Sequence, residues 1–376
     1  MPKNILEDLT LVVPTYFRQH YALRLMKYWS NKGPKVIVVD GTDKPISKEN
    51  LEGMCSSIIY VHNPVGMYER LHGVLSLITT KYVALAGDDE FYIPSAVVKC
   101  IEELEKEPDL VACCGMAIGF YPTQNFVRGI QMYPKLFRYE ISESAPKDRV
   151  VKHMSDYEVN QIYAVCRSRE WKIAFLGILE REFPVFAIGE YQFQLYMSFA
   201  GKSKVINELM WLRNSGETKP IRGTDPSLGP HLFFDWYNDK NSNKEKSELL
   251  DISANTLKNL STTHDYDSCR IIAEAGFSSF NNWLKVNRTT MQFLLASPLI
   301  KLIKKISPSP LKKAFRFFLN KIYIIKNEKD KSQDEISLID LAKKIESDLR
   351  VKVDFNELYK IEAILSQNQV TLKSKG

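Results

Sequence analysis

The sequence predicts an α/β protein whose core is a mostly parallel sheet. Within about the first ninety residues, four short apolar runs alternate with segments of helical spacing. Such alternation is typical of parallel strands joined by right-handed crossovers. Two of the apolar runs end directly in acidic residues, and the carboxyl end of its strands is where an open α/β sheet binds its ligands. Together these observations predict a nucleotide-type crevice at that edge of the sheet.

The predicted elements follow one another regularly. Each predicted strand is a short apolar run bounded by Pro, Gly or charged residues, and each predicted helix has apolar residues on one side. In chain order they are a strand at 9–16, a helix at 19–32, strands at 35–43 and 58–63, a helix at 68–79 and a strand at 82–86.

The fourth predicted strand leads into three consecutive acidic residues, Asp88, Asp89 and Glu90, with Pro94 shortly after them. Adjacent like charges are costly unless water or a cation neutralises them. Hard oxygen ligands suit Mg²⁺ or Mn²⁺, which in turn suit a phosphate-bearing substrate. Taken alone, the cluster is equally compatible with a solvated acidic turn after a strand.

Four short motifs follow one another in an order that resembles a known family. They are Val-Pro-Thr-Tyr at 13–16, Val-Val-Asp-Gly-Thr at 38–42, Asn-x-x-Gly and Arg-x-x-Gly within 63–73, and the acids before a proline at 87–94. By this order and spacing, residues 9–215 resemble the GT-A glycosyltransferases, specifically the large inverting group called family 2. The resemblance implies a Rossmann-like GT-A domain, here with a helical C-terminal appendage, and a nucleoside diphosphate sugar as donor.

The resemblance also implies which residues bind the donor. They are Pro14, Thr15, Tyr16, Asp40, Arg70, Asp88 and, in a loop at 218–230 that is rich in Gly, Pro and Thr, Arg222. Mobile loops that carry a basic residue often close over a diphosphate. The alternative is a plain surface loop without a binding role. This alternative is favoured more for Lys219 than for Arg222.

The metal-binding residues depart from the family's pattern. The first Asp of the usual Asp-x-Asp-Asp motif falls on Ala86, so Mg²⁺ or Mn²⁺ would be bound by Asp88 and Glu90, or by Asp89. His231 is a further candidate ligand, although a lone His is more often structural. The ion would bridge the two phosphates of the donor.

The resemblance places the general base in the segment 188–195, at the predicted start of a helix. Glu190 falls on the base position, with Glu180 and Glu182 as competitors. A carboxylate serves as a base when it lies within hydrogen-bond reach of the acceptor hydroxyl, and the helix N-terminus is expected to keep Glu190 ionised. The alternative is an ordinary N-terminal Glu that only complements the helix dipole. A short strand at 204–207 and a separate segment at 210–217 are predicted to follow.

Composition is that of a globular protein, with 44% hydrophobic and 26% charged residues among 376. The six cysteines have no metal-site spacing and are expected to be buried, reduced thiols. Neither a signal peptide nor a transmembrane run is expected, so the predicted location is cytoplasmic. The predicted organisation is a GT-A domain at 1–235, a helical extension at 236–297, a basic segment at 298–332, and C-terminal helices and a tail at 333–376.

Charge is concentrated between residues 299 and 331, which hold ten basic and two acidic residues, a balance of 10 − 2 = +8 against +6 for the whole chain. The basic residues alternate with apolar ones, as in amphipathic helices that lie on anionic membranes. The alternative is a helical pair that packs on the catalytic domain, and a nucleic-acid site lacks a supporting motif. The expected acceptor is therefore a surface polysaccharide or lipid-linked glycan, at the inner face of the membrane.

Two other function classes remain open on the sequence alone. A sugar-nucleotide nucleotidyltransferase shares this kind of sheet but needs a Gly-rich phosphate loop after the first strand, where residues 14–18 contain no glycine. A non-catalytic, membrane-associated binding module with the same fold is compatible with the altered metal and base motifs.

Overall fold

The computed structural model describes residues 4–216, 230–296 and 336–373. The strands are β1 (Leu9–Thr15), β2 (Lys35–Asp40), β3 (Ile58–His62), β4 (Tyr82–Leu85), β5 (Phe91–Tyr92), β6 (Leu110–Pro122), β7 (Val127–Gln131), β8 (Glu140–Ile141), β9 (Val165–Arg167) and β10 (Lys202–Asn214). The helices are α1 (Gln19–Trp29), α2 (Lys48–Leu51), α3 (Met67–Val74), α4 (Pro94–Lys106), α5 (Pro146–Ser155), α6 (Ser168–Leu179), α7 (Ile188–Ala200), α8 (Pro230–Asn238), α9 (Asn243–Leu260), α10 (Tyr266–Ala296), α11 (Leu338–Leu349) and α12 (Phe355–Lys373).

These strands form one sheet in the order β3-β2-β1-β4-β9-β6-β10-β5, with β7 paired to β6 and β8 paired to β10. The pairs among β3, β2, β1 and β4 are parallel, as is the β6–β10 pair. The short β9 lies antiparallel between β4 and β6. The predicted mostly parallel α/β sheet is therefore confirmed, with one antiparallel strand at its centre that the sequence did not indicate.

Strands β1, β2 and β4 form because their apolar runs are buried, as expected for parallel strands covered on both faces. Strand β3, at the edge of the sheet, is half-buried along its length. In β1, Leu9, Leu11, Val12 and Val13 have no exposed surface. The register pairs Thr15 with Asp40, so the carboxyl ends of β1 and β2 meet at one edge of the sheet.

The strand predicted at 204–207 is present but longer than predicted, since it continues into the segment that was predicted to follow it. The structure has one strand, β10, that runs from Lys202 to Asn214 beside β6. Its register shifts between Val205 and Leu209, and such a bulge interrupts the alternation by which a strand is recognised. The continuous strand brings Trp211 and Arg213 to the acidic cluster.

Helices α8 to α10 share the hydrophobic core of the sheet region. Phe280 of α10, for example, lies with its ring centroid 4.4 Å from that of Tyr191 in α7. The predicted boundaries at 235, 297 and 332 remain predictions, and the basic segment 299–331 lies outside the described residues.

The last two described helices return to the sheet. The amide of Gly129 in β7 donates to the carbonyl of Ile336 at 2.9 Å, and Lys32 after α1 pairs with the buried Glu357 of α12 at 2.7 Å. Among the described helices, none combines the length and apolar character needed to cross a membrane. All six cysteines are unpaired, and all but Cys55 are buried.

Candidate active site

Asp40, at the end of β2, is buried and fully engaged in hydrogen bonds. Gln19 Nε2 and the Tyr60 hydroxyl each donate to Oδ2 at 2.6 Å, and the Thr42 amide donates to Oδ1 at 2.8 Å. Burial alone would raise the pKa of Asp40, but the hydrogen bonds from Thr42, Tyr60 and Gln19 outweigh it and lower that pKa. The carboxylate is therefore fixed in position and ionised at the crevice.

Arg70 joins the ends of β1 and β2. Its Nη1 donates to the carbonyl of Thr15 at 2.8 Å, and its guanidinium lies 5.7 Å from the ring centroid of Tyr16. A Cβ at Gly41 would lie 1.8 Å from Nη1, so only glycine leaves room for this side chain. With Pro14 in β1 beside them, the predicted donor-binding residues of the first two motifs do meet at one place.

The acidic cluster is held by a residue that the sequence did not single out, Arg18. Its guanidinium pairs with Asp88 and, at 3.0 Å, with Asp89. The Thr15 hydroxyl also donates to Asp88 at 2.7 Å, and Asn214 Nδ2 donates to Asp89 at 3.3 Å. Burial raises the pKa of Asp88 to about 6, although the charge of Arg18 opposes that rise.

Glu90 has different partners from its two neighbours. The Trp211 indole donates to Oε2 at 2.8 Å, and Arg213 Nε lies 3.7 Å from Oε1. Burial raises the pKa of Glu90 to about 7, against the opposing charge of Arg213. Asp88 and Asp89 thus share one cation, Arg18, whereas Glu90 contacts two residues of β10.

The cluster fits a cation between two carboxylates. Within residues 4–216, 230–296 and 336–373, no three or more His, Cys, Asp and Glu side chains are grouped to hold a metal ion. The Arg18 guanidinium nevertheless stands between Asp88 and Asp89, and Mg²⁺ is commonly bound by one or two carboxylates with substrate phosphates as further ligands. The side chain of His231 lies outside the described residues, as do Lys219 and Arg222.

Glu190 lies in the first turn of α7, as predicted, and is only partly buried. The Tyr157 hydroxyl donates to its Oε1 at 2.6 Å. Burial raises the pKa of Glu190, while the hydrogen bond from Tyr157 opposes that rise. The expectation that the helix N-terminus keeps Glu190 ionised stays a prediction, and burial acts against it.

Glu190 lines a cavity of about 200 Å³ beside the end of β4. The two competing carboxylates do not. Glu180 lines a separate cavity together with His72, and Glu182 is exposed to solvent. Of the three candidates, only Glu190 lies in the cavity next to the sheet edge.

Tyr163 links this cavity to the acidic cluster, because it lines the cavity and also contacts a partner of Glu90. Its ring stacks on Trp211 with centroids 4.4 Å apart, and the Trp211 indole donates to Glu90. Burial raises the pKa of the Tyr163 hydroxyl well above its ordinary value, and the charges of Glu90 and Glu190 add to the rise. Both carboxylates are therefore within electrostatic reach of the same phenol.

The sequence reasoning missed Arg18, Tyr157 and Trp211. Arg18 had a usable signal, since it follows the first strand by three residues and so lies at the carboxyl edge. Tyr157 and Trp211 had none, because each meets its carboxylate across a long stretch of chain, 33 residues for Tyr157 and 121 for Trp211.

Residues 10–167 match the family model described as Glycosyl transferase family 2. Among solved structures, the chain is similar to S. aureus TarS 1-349 in complex with UDP-GlcNAc, at 10% identity over 74% of this chain and 91% of that chain, with a TM-score of 0.41. TarS 1-349 with UDP gives the same identity and coverage at a TM-score of 0.38. A longer TarS structure gives 12% identity over 74% of this chain and 55% of that chain, with a TM-score of 0.38. No curated protein sequence matches.

The predicted resemblance is thus confirmed for the part of the chain that holds β1 to β9. The GT-A fold class and the assignment to the glycosyltransferases are confirmed with it. Over residues 10–167 the chain is similar to the family 2 glycosyltransferases.

Proposed function

We propose that the protein transfers a glycosyl group from a nucleoside diphosphate sugar to a hydroxyl acceptor, with inversion at the anomeric carbon. The observation that carries the proposal is the arrangement around Tyr163. This residue lines the cavity of Glu190, and its ring stacks on Trp211, whose indole donates to Glu90 of the acidic cluster. The reaction needs a place for the diphosphate and a base close to it but on the acceptor side.

The donor occupies the crevice at the ends of β1, β2 and β4. Asp40 and Arg70 face the nucleoside, and the Tyr16 ring beside Arg70 offers an aromatic surface. Arg222 lies outside the described residues, so the proposal that it binds the diphosphate rests on its sequence alone. The positive charges of the basic side chains complement the negative charge of the donor diphosphate.

Asp88 and Asp89 would hold Mg²⁺ or Mn²⁺ together with the diphosphate, in place of their contact with Arg18. When bound, the ion neutralises charge on the departing diphosphate. When the two carboxylates hold the ion, Arg18 is released from them. Its positive guanidinium then pairs with the negative diphosphate.

Glu190 is the general base. Tyr157 engages Oε1, and the described contacts give Glu190 no other hydrogen bond, so Oε2 is available to the acceptor. The acceptor hydroxyl gives its proton to Oε2 as its oxygen bonds to the anomeric carbon. The bond between that carbon and the diphosphate oxygen breaks, and its electron pair leaves with the nucleoside diphosphate.

The acceptor is a hydroxyl of a surface polysaccharide or a lipid-linked glycan. The balance of +8 in residues 299–331 supports work at an anionic membrane surface on the cytoplasmic side. That segment lies outside the described residues, so its sequence alone supports this part of the proposal.

A thermal-shift series with UDP-, GDP-, CMP- and dTDP-sugars, each with and without Mn²⁺, tests the proposal. One donor class should raise the melting temperature more with Mn²⁺ than without it, since a ligand at 100 times its Kd stabilises the folded state by about 2.7 kcal/mol. If no nucleotide sugar stabilises the protein under either condition, the proposed function is wrong.

A further inference from the structure

The cavity beside Glu190 is closed by aromatic and aliphatic side chains. They come from α3, from α6, from the end of β4, from the loop before α7 and from the segment before β9 that holds Ile162 and Tyr163. Tyr68, Tyr163 and Phe186 supply the aromatic part of the wall, and Phe175 and Ile178 supply part of the remainder. The described residues that line it include no Lys, Arg or His.

The wall is tightly built. The rings of Tyr68 and Phe186 meet edge to face, with centroids 6.4 Å apart and an interplanar angle of 86°. A Cβ at Gly189 would lie 2.8 Å from the Tyr68 hydroxyl oxygen, so the glycine lets this ring approach the first turn of α7. Glu190 is the next residue, and its position relative to the aromatic wall is thereby fixed.

Charge decides what the cavity can hold. Glu190 must be ionised to act as a base, and the causes that shift its pKa are burial and the Tyr157 hydrogen bond, with no cation among them. A phosphate or carboxylate placed beside it would meet a like charge in a poorly solvated space without a compensating cation. An anionic group is therefore disfavoured.

Size and the position of the base decide which part of the acceptor enters. A cavity of about 200 Å³ lies below the range of roughly 300–1,000 Å³ that drug-sized ligands occupy, so it suits one small unit. The group that enters must carry the reacting hydroxyl, because that hydroxyl must reach Glu190. A lipid tail has no such hydroxyl.

From the proposed glycosyltransfer at this site, we infer that the cavity selects an uncharged sugar unit as the acceptor, with its apolar face against Tyr68 and Phe186. Uronic acids and sugar phosphates are rejected at this position. Charged parts of a longer acceptor, such as a lipid diphosphate, lie outside the cavity.

Ligand-observed saturation-transfer NMR on the full chain, alone and with UDP, tests the inference. The probes are methyl β-glucoside and methyl β-glucuronide, which differ only at C6, extended by the methyl glycosides of rhamnose, galactose and N-acetylglucosamine and by glucose 6-phosphate. We expect transfer to at least one neutral glycoside, and none to the glucuronide or the phosphate.

The variant Phe186→Ala should weaken binding of that glycoside about threefold to tenfold, the change expected for one aromatic contact. Leu176→Ala is the matched control, because Leu176 is similarly exposed, 48% against 37% for Phe186, and lines the other cavities instead. The control should bind as the wild type does.

Three results of the NMR comparison would overturn the inference. They are transfer to the anionic probes as strong as to the neutral ones, no transfer to any neutral glycoside, and equal loss in Phe186→Ala and Leu176→Ala. A loss of nucleotide-sugar binding in Phe186→Ala would assign the cavity to the donor sugar and also overturn it. Each of these results leaves the proposed function standing if a nucleotide sugar still stabilises the chain.

Discussion

At the scale of single residues, Glu190 carries the most specific chemical prediction. Glu190→Gln keeps the shape of the side chain but removes its basicity. We expect kcat to fall about 100-fold or more, the scale at which a general base contributes, while donor affinity stays unchanged because the cavity that Glu190 lines includes none of the three acids of the cluster. Steady-state rates and donor titrations measure the two effects.

Glu182→Gln is the matched control for that variant, since Glu182 is exposed in the loop just before α7. Its kcat should match the wild type. If donor affinity collapses in Glu190→Gln while kcat stays normal, Glu190 is a donor ligand or a helix cap instead.

Tyr157 lowers the pKa of Glu190 through one hydrogen bond, and the pH dependence of activity tests this effect. Because burial raises the pKa of Glu190, activity should be lost as pH falls through a value above the ordinary 4.5 of a glutamate. Tyr157→Phe removes the hydrogen bond that opposes the rise, so the acidic limb of kcat should move to still higher pH. An unchanged limb in a folded Tyr157→Phe protein would remove Tyr157 from the mechanism.

The three adjacent acids should not be equivalent, although the sequence names Asp88, Glu90 and Asp89 alike as candidate metal ligands. Asp88 shares Arg18 with Asp89, whereas Glu90 binds Trp211. Asp88→Asn should abolish Mn²⁺-dependent donor binding, and Glu90→Gln should weaken it less because the amide oxygen can still accept from the indole. Calorimetric titration with and without Mn²⁺ separates the two, and the reverse order of effects would assign the ion to Glu90.

At the scale of elements, the turn after β2 and helix α3 are fitted to each other through Gly41 and Arg70. Gly41→Ala would place a Cβ 1.8 Å from Arg70 Nη1, so the guanidinium must leave the Thr15 carbonyl. We expect a loss of about 1–3 kcal/mol in the free energy of unfolding, the usual cost of overpacking, and weaker donor binding. Urea unfolding and donor titration measure the two effects.

Gly73→Ala is the control for that change, because it lies in the same helix as Arg70 and a Cβ there meets nothing within 4 Å. It should leave stability unchanged or raise it slightly, since alanine favours helix more than glycine does. A Gly41→Ala protein as stable as this control would show that the Arg70 side chain can adopt another conformation without loss of stability.

The elements that position the site differ in how far the sequence predicts them. Strands β1 to β4 were found to within about a residue at most ends, because buried parallel strands are continuous apolar runs. Strand β9 was missed, since three residues, Val165–Arg167, are too few for any period to show. Glu190 was found through its motif, but its hydrogen bond to Tyr157 depends on packing between α7 and the segment after α5.

At the scale of the whole molecule, the basic segment 299–331 remains a prediction of the sequence. If it binds membranes, the full chain should sediment with anionic vesicles at low salt and be released as salt rises, since each basic residue near the surface contributes roughly 1 kcal/mol that salt screens. Changing Lys304, Lys305, Lys312 and Lys313 to Gln should abolish sedimentation without lowering the melting temperature. Failure of the intact chain to bind vesicles at any salt would leave the packing alternative.

The contact between β7 and Ile336 has a consequence for how the chain is made. The outer side of β7 is covered by residues near the start of α11, through the Gly129 amide and a bridge from Arg128 to Ser337. A ribosome releases those residues more than two hundred positions after β7 itself. During that interval the strand presents unpaired backbone groups, which invite pairing with other chains. Self-association of the nascent protein is therefore favoured during this interval, and it ends when Ile336 and Ser337 cover the strand.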